Sequence, residues 1–378
     1  MDRLLPSDEA RSLLGLTAEI ADGELAPRVA EHEARGEFPR EVFRTLGRAG
    51  LLGLPYPEEY GGADQPYEVY LQVVEELARR WLSVALGVSV HTLSCFPVAQ
   101  FGSEQQRKRF LPELLGGELL GAYCLSEPQG GSDAAALATK AVPDGDGFLV
   151  TGTKAWVSHA GAADFYNVFV RTGGPGADGI SCLLVEADSS GLVPQAAERK
   201  MGLTAQATAQ IAFDDVRVPG DRLVGAEGGG FRIAMRALDT GRLGIAACAV
   251  GLAQSALDYA CGYAREREQF GRPIGHFQGV GFLLADAATQ VAAARALVLS
   301  AARLKDAGRA FSVEAAKAKL FATDMAMRVT TDMVQVLGGY GYVSDHPVER
   351  YMREAKVLQI VEGTNQIQRV VISRALTS

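Results

Sequence analysis

Apolar residues recur three or four positions apart from Ala10 to about Leu120, with the register broken at Pro55-Tyr56-Pro57 and at Gly61-Gly62-Ala63-Asp64. That period places one apolar stripe on each segment and predicts a helical first part. The period then shortens to two in Phe148-Val150, Tyr166-Val168-Val170, Ile180-Cys182-Leu184 and Ile211-Phe213, with Gly or Asp-Gly turns between the runs. Alternation of this kind predicts strands. Helical spacing returns after a glycine loop at 225–230, with Val250, Ala253, Leu257, Ala260 and Ala264 on one face, and long antiparallel helices are expected over 226–262, 276–308, 312–337 and 347–359. The expected fold is mainly α with a small central β-domain: an all-helical N-terminal domain (1–120), a β-barrel-like middle domain (121–225) and a C-terminal four-helix-type antiparallel bundle (226–378).

Composition narrows the function classes. A chain of 378 residues with 48% apolar positions can bury large cores without disulfides or metal. The net charge of -8 leaves no basic stripe for phosphate backbones, and the one basic cluster, Arg107-Lys108-Arg109, falls in a periodic stretch that reads as a solvated helix face. No nucleic-acid partner is expected. The five cysteines are scattered without a Cys-x-x-Cys pair, so neither a disulfide framework nor a metal site is expected. The first residues alternate acidic and apolar character and signal neither secretion nor import; a cytoplasmic protein is the expectation. The apolar stretch 244–257 reads as too short, and too broken by Gln254, to span a bilayer.

Hydrolase elbows, Walker loops, His-Glu-x-x-His pairs and a strand-to-helix dinucleotide fingerprint are all missing from the sequence. Five segments remain that mix glycine, hydroxyls and amides. Tyr123-Cys124-Leu125-Ser126-Glu127-Pro128-Gln129-Gly130-Gly131-Ser132-Asp133 can present backbone N–H groups to a ring or phosphate, or can be a Pro-Gly turn with Ser132 or Asp133 as an N-cap. Trp156-Val157-Ser158 sets a tryptophan beside a hydroxyl on a strand, where a core aromatic is the plain reading. Arg267-Glu268-Gln269-Phe270-Gly271-Arg272-Pro273-Ile274, followed by Phe277-Gln278, reads as a helix stopping at Gly271, with Arg267 able to reach a phosphate or simply to satisfy the helix end. Gln335-Val336-Leu337-Gly338-Gly339 pairs glycines after an apolar helix, which permits close backbone approach. In Ile360-Val361-Glu362-Gly363-Thr364-Asn365-Gln366, a lone carboxylate stands in apolar company at an expected helix end, where the dipole and poor solvation both raise its pKa. Gly363 is the expected helix stop and Thr364 the N-cap of the next helix.

In this order and spacing, the five segments resemble the acyl-CoA dehydrogenase family, from about Leu13 to the C-terminus, and the short-chain and short-branched-chain members most of all through Leu238-Asp239-Thr240-Gly241-Arg242-Leu243-Gly244-Ile245-Ala246. The resemblance implies FAD held between the β-domain and the last bundle of a homotetramer. Tyr123, Cys124, Leu125, Ser126 and Ser132 would lie against flavin and phosphates, and Trp156, Val157 and Ser158 would cover the ring. Arg267, Gln269, Phe270, Phe277, Gln278, Gln335, Gly338 and Gly339 would hold the ADP part of a neighbour's FAD, with Thr364 and Gln366 completing that site. Ser132, Asp239, Arg242 and Gly363 would contact substrate, and Glu362 would be the catalytic base. Members that carry the base on another helix place it where this chain has Gly241, which leaves Glu362 as the candidate.

The implied reaction is α,β-dehydrogenation of an acyl-CoA of fatty acid metabolism, short or short-branched, with an electron-transfer flavoprotein as acceptor. Removing an α-proton from a thioester needs donors at its carbonyl oxygen, each contributing about 3–4 kcal/mol, and a positioned base adding about 10²- to 10⁴-fold. A dehydrogenase of carrier-protein-bound acyl groups and a non-dehydrogenating flavoprotein of the same fold stand as alternatives. Val361, where many members carry tyrosine, and His159, where asparagine is common and which reads here as a polar loop residue, depart from the family pattern.

Overall fold

The computed structural model describes Arg3 and residues 5–377. Its first part consists of α1 (Asp8–Ile20), α2 (Val29–Arg35), α3 (Arg40–Arg48), α4 (Tyr67–Arg80), α5 (Leu82–Phe101) and α6 (Glu104–Leu115). Helix α6 starts on a capping box: Gln106 N–H donates to Ser103 Oγ at 3.2 Å while Ser103 N–H donates to Gln106 Oε1 at 2.9 Å. The Gln106 amide then donates to the carbonyls of Asp221 and Leu223, which ties this helix to the sheet.

The strands are β1 (Gly121–Cys124), β2 (Lys140–Asp144), β3 (Gly147–Ser158), β4 (Phe165–Arg171), β5 (Ile180–Glu186), β6 (Leu192–Pro194), β7 (Thr208–Pro219) and β8 (Leu223–Val224). They form one mixed sheet in the order β6-β7-β3-β2-β4-β5-β8, with β1 added parallel to β4 in the register Gly121 to Phe165. The end strands β6 and β8 do not pair with each other among the described residues, so these pairings close no barrel. Strands β4 and β5 are apolar on both faces for a reason visible in the packing. Tyr166, Val168, Val170, Leu183 and Val185 fill the core against β3 and β7, whereas Phe165, Phe169, Ile180, Cys182 and Leu184 pack on Phe110 and Leu111 of α6 and on Ile233.

The chain continues with α7 (Gly230–Glu266), a hairpin of β9 (Glu268–Gln269) and β10 (Arg272–Pro273), then α8 (Gln278–Asp306), α9 (Ser312–Leu337), α10 (Val348–Leu358) and α11 (Asn365–Thr377). One hydrophobic core joins the first helices to the last: Phe43, Leu77, Trp81, Val84, Cys248, Leu252, Val291, Ala326 and Leu358 belong to it. The sheet sits beside this helical body, held by α5, α6 and the start of α7.

The stretch 244–257 is not an isolated short segment. That stretch lies within the 37-residue α7, and α5, α7 and α8 are each long and apolar enough to cross a membrane by length and composition. In α5 and α7 the apolar window is 89% and 78% buried inside the protein, which accounts for its composition, whereas that of α8 is only 22% buried. One side of α8 packs into the core through Ala287, Val291, Ala294 and Val298, and the rest of its apolar surface, with Phe282 and Leu297, is left open by this single chain.

Candidate active site

Glu362 is not at a helix end. Helix α10 stops at Leu358, and Glu362 follows in a turn, with φ +53 at Glu362 and +90 at Gly363, both in the left-handed region. The helix dipole is thus not what perturbs it, and Gly363 is a turn residue, not a helix stop. The residue as a whole is half-buried, but both carboxylate oxygens are buried and accept no hydrogen bond. Loss of hydration pushes its pKa up to about 8, with Lys319 and Arg242 pulling the other way. Past the turn, Thr364 Oγ1 accepts from Ile367 N–H at 3.3 Å and caps α11.

The carboxylate rests on the backbone of α7. A Cβ at Gly241 would lie 2.0 Å from Glu362 Oε2 and 3.1 Å from Leu93 Cδ1 of α5, so only glycine leaves room for the acid. One turn further along α7, a Cβ at Gly244 would lie 2.2 Å from Ser89 Oγ and 4.0 Å from Tyr70 Oη. Helices α4, α5 and α7 therefore close together just beyond the carboxylate. Arg242, beside Gly241, is buried and bonded to Asp239 at 2.6 Å, and Asp239 also accepts from Ser312 Oγ at 2.8 Å. Two of the four candidate substrate residues thus occur as an ion pair.

Tyr123 and the loop after it stand next to this turn. Tyr123 donates to the Ala234 carbonyl of α7 at 3.2 Å, and Glu362 adds to the upward push that burial gives its phenol. Cys124 and Leu125 are buried, so only their backbones can face a ligand; Ser132 is exposed. Strand β3 runs alongside, with Ala155 N–H donating to the Ser126 carbonyl at 2.9 Å. A bulge between Lys154 and Val157 turns Trp156 out of the sheet with φ +59, and its side chain is 65% exposed instead of lying in the core. Val157 is buried and Ser158 half-buried.

What fixes this loop is a buried ion pair that the sequence reading did not single out. Lys154 Nζ lies 2.9 Å from Glu127 Oε1 and donates to the Leu125 carbonyl at 3.1 Å. Glu127 also accepts from Ala138 N–H at 2.6 Å and Thr139 N–H at 2.8 Å. Burial opposes the Glu127 charge, but Lys154 and the donors at Thr139 and Ala138 outweigh it and hold the carboxyl at about 2. A lysine within the otherwise alternating run of β3 was the available signal.

His159 is a core residue and not a polar loop residue. It is buried against the stacked pair Phe38 and Phe43, its Nδ1 donates to the Gly121 carbonyl at 2.9 Å, and burial drives its pKa down to about 3. It is a neutral pin between the end of β3 and the start of β1.

A second group gathers elsewhere. Arg267, Gln269, Phe270, Phe277, Gly338 and Gly339 line one open cavity of about 820 Å³, together with Tyr263, Tyr340 and His346. Gln278 and Gln335 flank it on α8 and α9 without lining it, and Gln366 is exposed on α11. Helix α7 ends at Glu266, ahead of Gly271, and Gly271 with φ +76 turns the β9–β10 hairpin instead. Phe270, 94% exposed at the hairpin tip, projects from this cavity. No residue of the Glu362 group lines the cavity, so a single chain presents two separate groups of candidate site residues.

Comparison with known proteins matches this geometry to one family along the whole chain. The family model of the acyl-CoA dehydrogenase N-terminal domain matches residues 7–118, that of the middle domain 122–216 and that of the C-terminal domain 228–377. An acyl-CoA dehydrogenase of Bacillus subtilis is 44% identical over 363 residues, 96% of each chain. The structure of butyryl-CoA dehydrogenase from Megasphaera elsdenii matches with a TM-score of 0.97 at 41% identity, covering 100% of both chains. A chain solved in work on the electron transferring flavoprotein of Acidaminococcus fermentans also has a TM-score of 0.97, at 43% identity over 100% of this chain and 99% of that one. The chain therefore belongs to the acyl-CoA dehydrogenases and is an FAD-dependent oxidoreductase.

Proposed function

We propose that the protein dehydrogenates a short acyl-CoA thioester at its α,β bond, with Glu362 taking the α-proton. The observation that carries this is the Glu362 carboxylate itself: buried, without a hydrogen-bond partner, and seated on a glycine of α7. An acid released from water in this way has a pKa of about 8, close to working pH, where a base combines ionisation with proton affinity. When bound, FAD supplies the acceptor for the β-hydride.

The chain's residues fit that cofactor in two places. Trp156 stands exposed above a loop braced by Lys154 and Glu127, an aromatic face and backbone donors suited to a flavin ring. The cavity at the β9–β10 hairpin offers Arg267, Gln269 and paired glycines to a diphosphate and its adenosine. Because these half-sites are separate in one chain, the reading includes a homotetramer in which the hairpin serves a neighbour's FAD; the open apolar face of α8 supports it. Thr364 and Gln366 are assigned to that shared site, and Ser132, Asp239, Arg242 and Gly363 to the substrate.

Close packing of Gly244 on Ser89 beside Tyr70 supports a short acyl group, as does the likeness to a butyryl-CoA dehydrogenase. Likeness to the chain from the Acidaminococcus work supports an electron-transfer flavoprotein as electron acceptor. The reading further includes a cytoplasmic setting, supported by five free cysteines, and the three-part division near residues 120 and 225.

The test is anaerobic flavin bleaching with butyryl-, isobutyryl-, octanoyl- and palmitoyl-CoA and with butyryl thioester on a carrier protein. Bleaching is expected with the short CoA esters, and Glu362→Gln should lose turnover by several orders of magnitude while keeping FAD. Bleaching by the carrier thioester alone would replace the CoA reading, and near-normal turnover of Glu362→Gln would move the base elsewhere.

A further inference from the structure

Helix α9 carries an ammonium where its apolar stripe should continue. Lys319 falls in register with Ala315, Ala322 and Ala326 and has no exposed surface. A buried ammonium is costly unless it is well partnered, so its partners show what it is for. Lys319 Nζ donates to the Gly363 carbonyl at 3.0 Å and to Asn365 Oδ1 at 2.9 Å. Both acceptors belong to the segment that presents Glu362.

This segment does not hold itself in place. Two consecutive residues with positive φ, one of them not glycine, are unfavourable unless the surroundings impose them. The Gly363 carbonyl also accepts from Gln368 Nε2 at 2.8 Å, and the Asn365 amide donates to Asp324 Oδ1 at 2.7 Å. Asp324 in turn binds Gln359 at 2.6 Å and Arg369 at 3.0 Å. Lys319 is the fully buried cation of this net, whereas Arg369 is exposed.

The charges around Glu362 give that position a second meaning. Helix α7 contributes Arg242 and Cys248, α4 contributes Tyr67 and Tyr70, β1 contributes Tyr123, and α9 contributes Lys319. Burial pushes the tyrosines and the cysteine up, so they stay neutral, and Arg242 is already bonded to Asp239. Lys319, in contrast, forms no carboxylate hydrogen bond among the described residues. Burial pulls its pKa down, while Glu362 and Asp324 pull it back up and Arg242 opposes them. Ionisation of Glu362 and protonation of Lys319 therefore favour each other.

We propose that Lys319 is a positioning residue for the base: it fixes the Glu362-Gly363 turn through the Gly363 carbonyl and is the resident counter-charge that lets Glu362 ionise in a dry site. The inference rests on Glu362 being the base. It is tested on the FAD-loaded enzyme with butyryl-CoA from pH 5.5 to 9.5, using Lys319→Met, which removes donor and charge, and Lys319→Gln, which removes the charge and keeps a shorter amide donor.

For Lys319→Met, kcat should fall by about 10- to 100-fold with little change in KM, and the acid limb of the kcat profile should move up by about one pH unit. Lys319→Gln should recover part of kcat but leave the limb displaced. A readout independent of turnover is the Tm gain from Glu362→Gln at pH 9, which should be larger in the Lys319→Met background because the unassisted carboxylate is then costlier to ionise. An unmoved acid limb and an equal Tm gain in both backgrounds would overturn the proposal. Should Lys319→Met not fold, an unmoved limb in Lys319→Gln would do the same. Failure of the base reading is separately visible, as normal turnover of Glu362→Gln with Lys319 intact.

Discussion

Gly241→Ala is the sharpest test of the base's placement. The new methyl would sit 2.0 Å from Glu362 Oε2 and 2.8 Å from its Cδ, whereas ordinary contact begins at 3.4 Å. The oxygen must then retreat by 3.4 minus 2.0, about 1.4 Å. Leu93 Cδ1 at 3.1 Å blocks the methyl from leaning aside, and the turn behind the acid is anchored by Lys319 and Gln368, so the side chain has to rotate away. A misplacement near 1 Å costs about 10²-fold in rate, or about 2.7 kcal/mol of barrier. Stability should barely move. Overpacking against a side-chain end costs about 1 kcal/mol, and alanine in a helix interior returns about 1 kcal/mol relative to glycine. The assay is stopped-flow bleaching by butyryl-CoA, with FAD content read from absorbance and Tm from the melting curve. A kcat within threefold of the parent, with FAD bound, would refute the placement, because a carboxylate that tolerates such a displacement is not the positioned base.

Other outcomes are expected from the same structure. With Glu362 raised to about 8 and acting in the proposed role of ionised base, kcat/KM should rise about tenfold per pH unit on the acid side and level off near that value. The sign for stability is opposite: the folded pKa lies above the unfolded 4.5, so the stabilisation is full below pH 4.5 and is lost as pH rises through 8. Glu362→Gln should therefore raise Tm increasingly between pH 5 and 8, and a pH-independent Tm difference would contradict the burial of this acid. Lys154→Met, which strands Glu127 in the interior, should cost about 3–5 kcal/mol by urea denaturation, with partial recovery on adding Glu127→Gln. Trp156→Ala should leave stability nearly unchanged, since the ring is 65% exposed, while lowering FAD content after dialysis.

The helical parts were legible because their apolar stripes are read locally: Val250, Ala253, Leu257, Ala260 and Ala264 are all buried on α7. Period alone could not tell a two-faced strand from a half-exposed one, and β4 and β5 proved to be buried on both sides. Turn chemistry misled twice. Gly271 and Gly363 look like helix stops in sequence, yet one turns a hairpin and the other lies past a helix already ended. Glu362 was singled out through its neighbours in the chain; the cause of its raised pKa, loss of water under α7, is a contact across more than a hundred residues. Lys319 and Lys154 went unremarked because a lysine at an apolar register position looks like a pattern error until its distant partners are known.

The non-glycine residues with positive φ include Trp156, His159, Phe270 and Glu362. Each left-handed side-chain-bearing residue carries about 1–3 kcal/mol of backbone strain, and glycine would relieve it. A library of this protein selected for heat resistance alone should thus favour glycine at 156, 270 and 362. The survivors would be hardier and poorer in function, having shed an exposed aromatic face, the side chain at the hairpin tip and the buried acid. Thermal hardening of this enzyme calls for those positions to be held fixed from the outset, with improvement sought on the exposed sides of its helices.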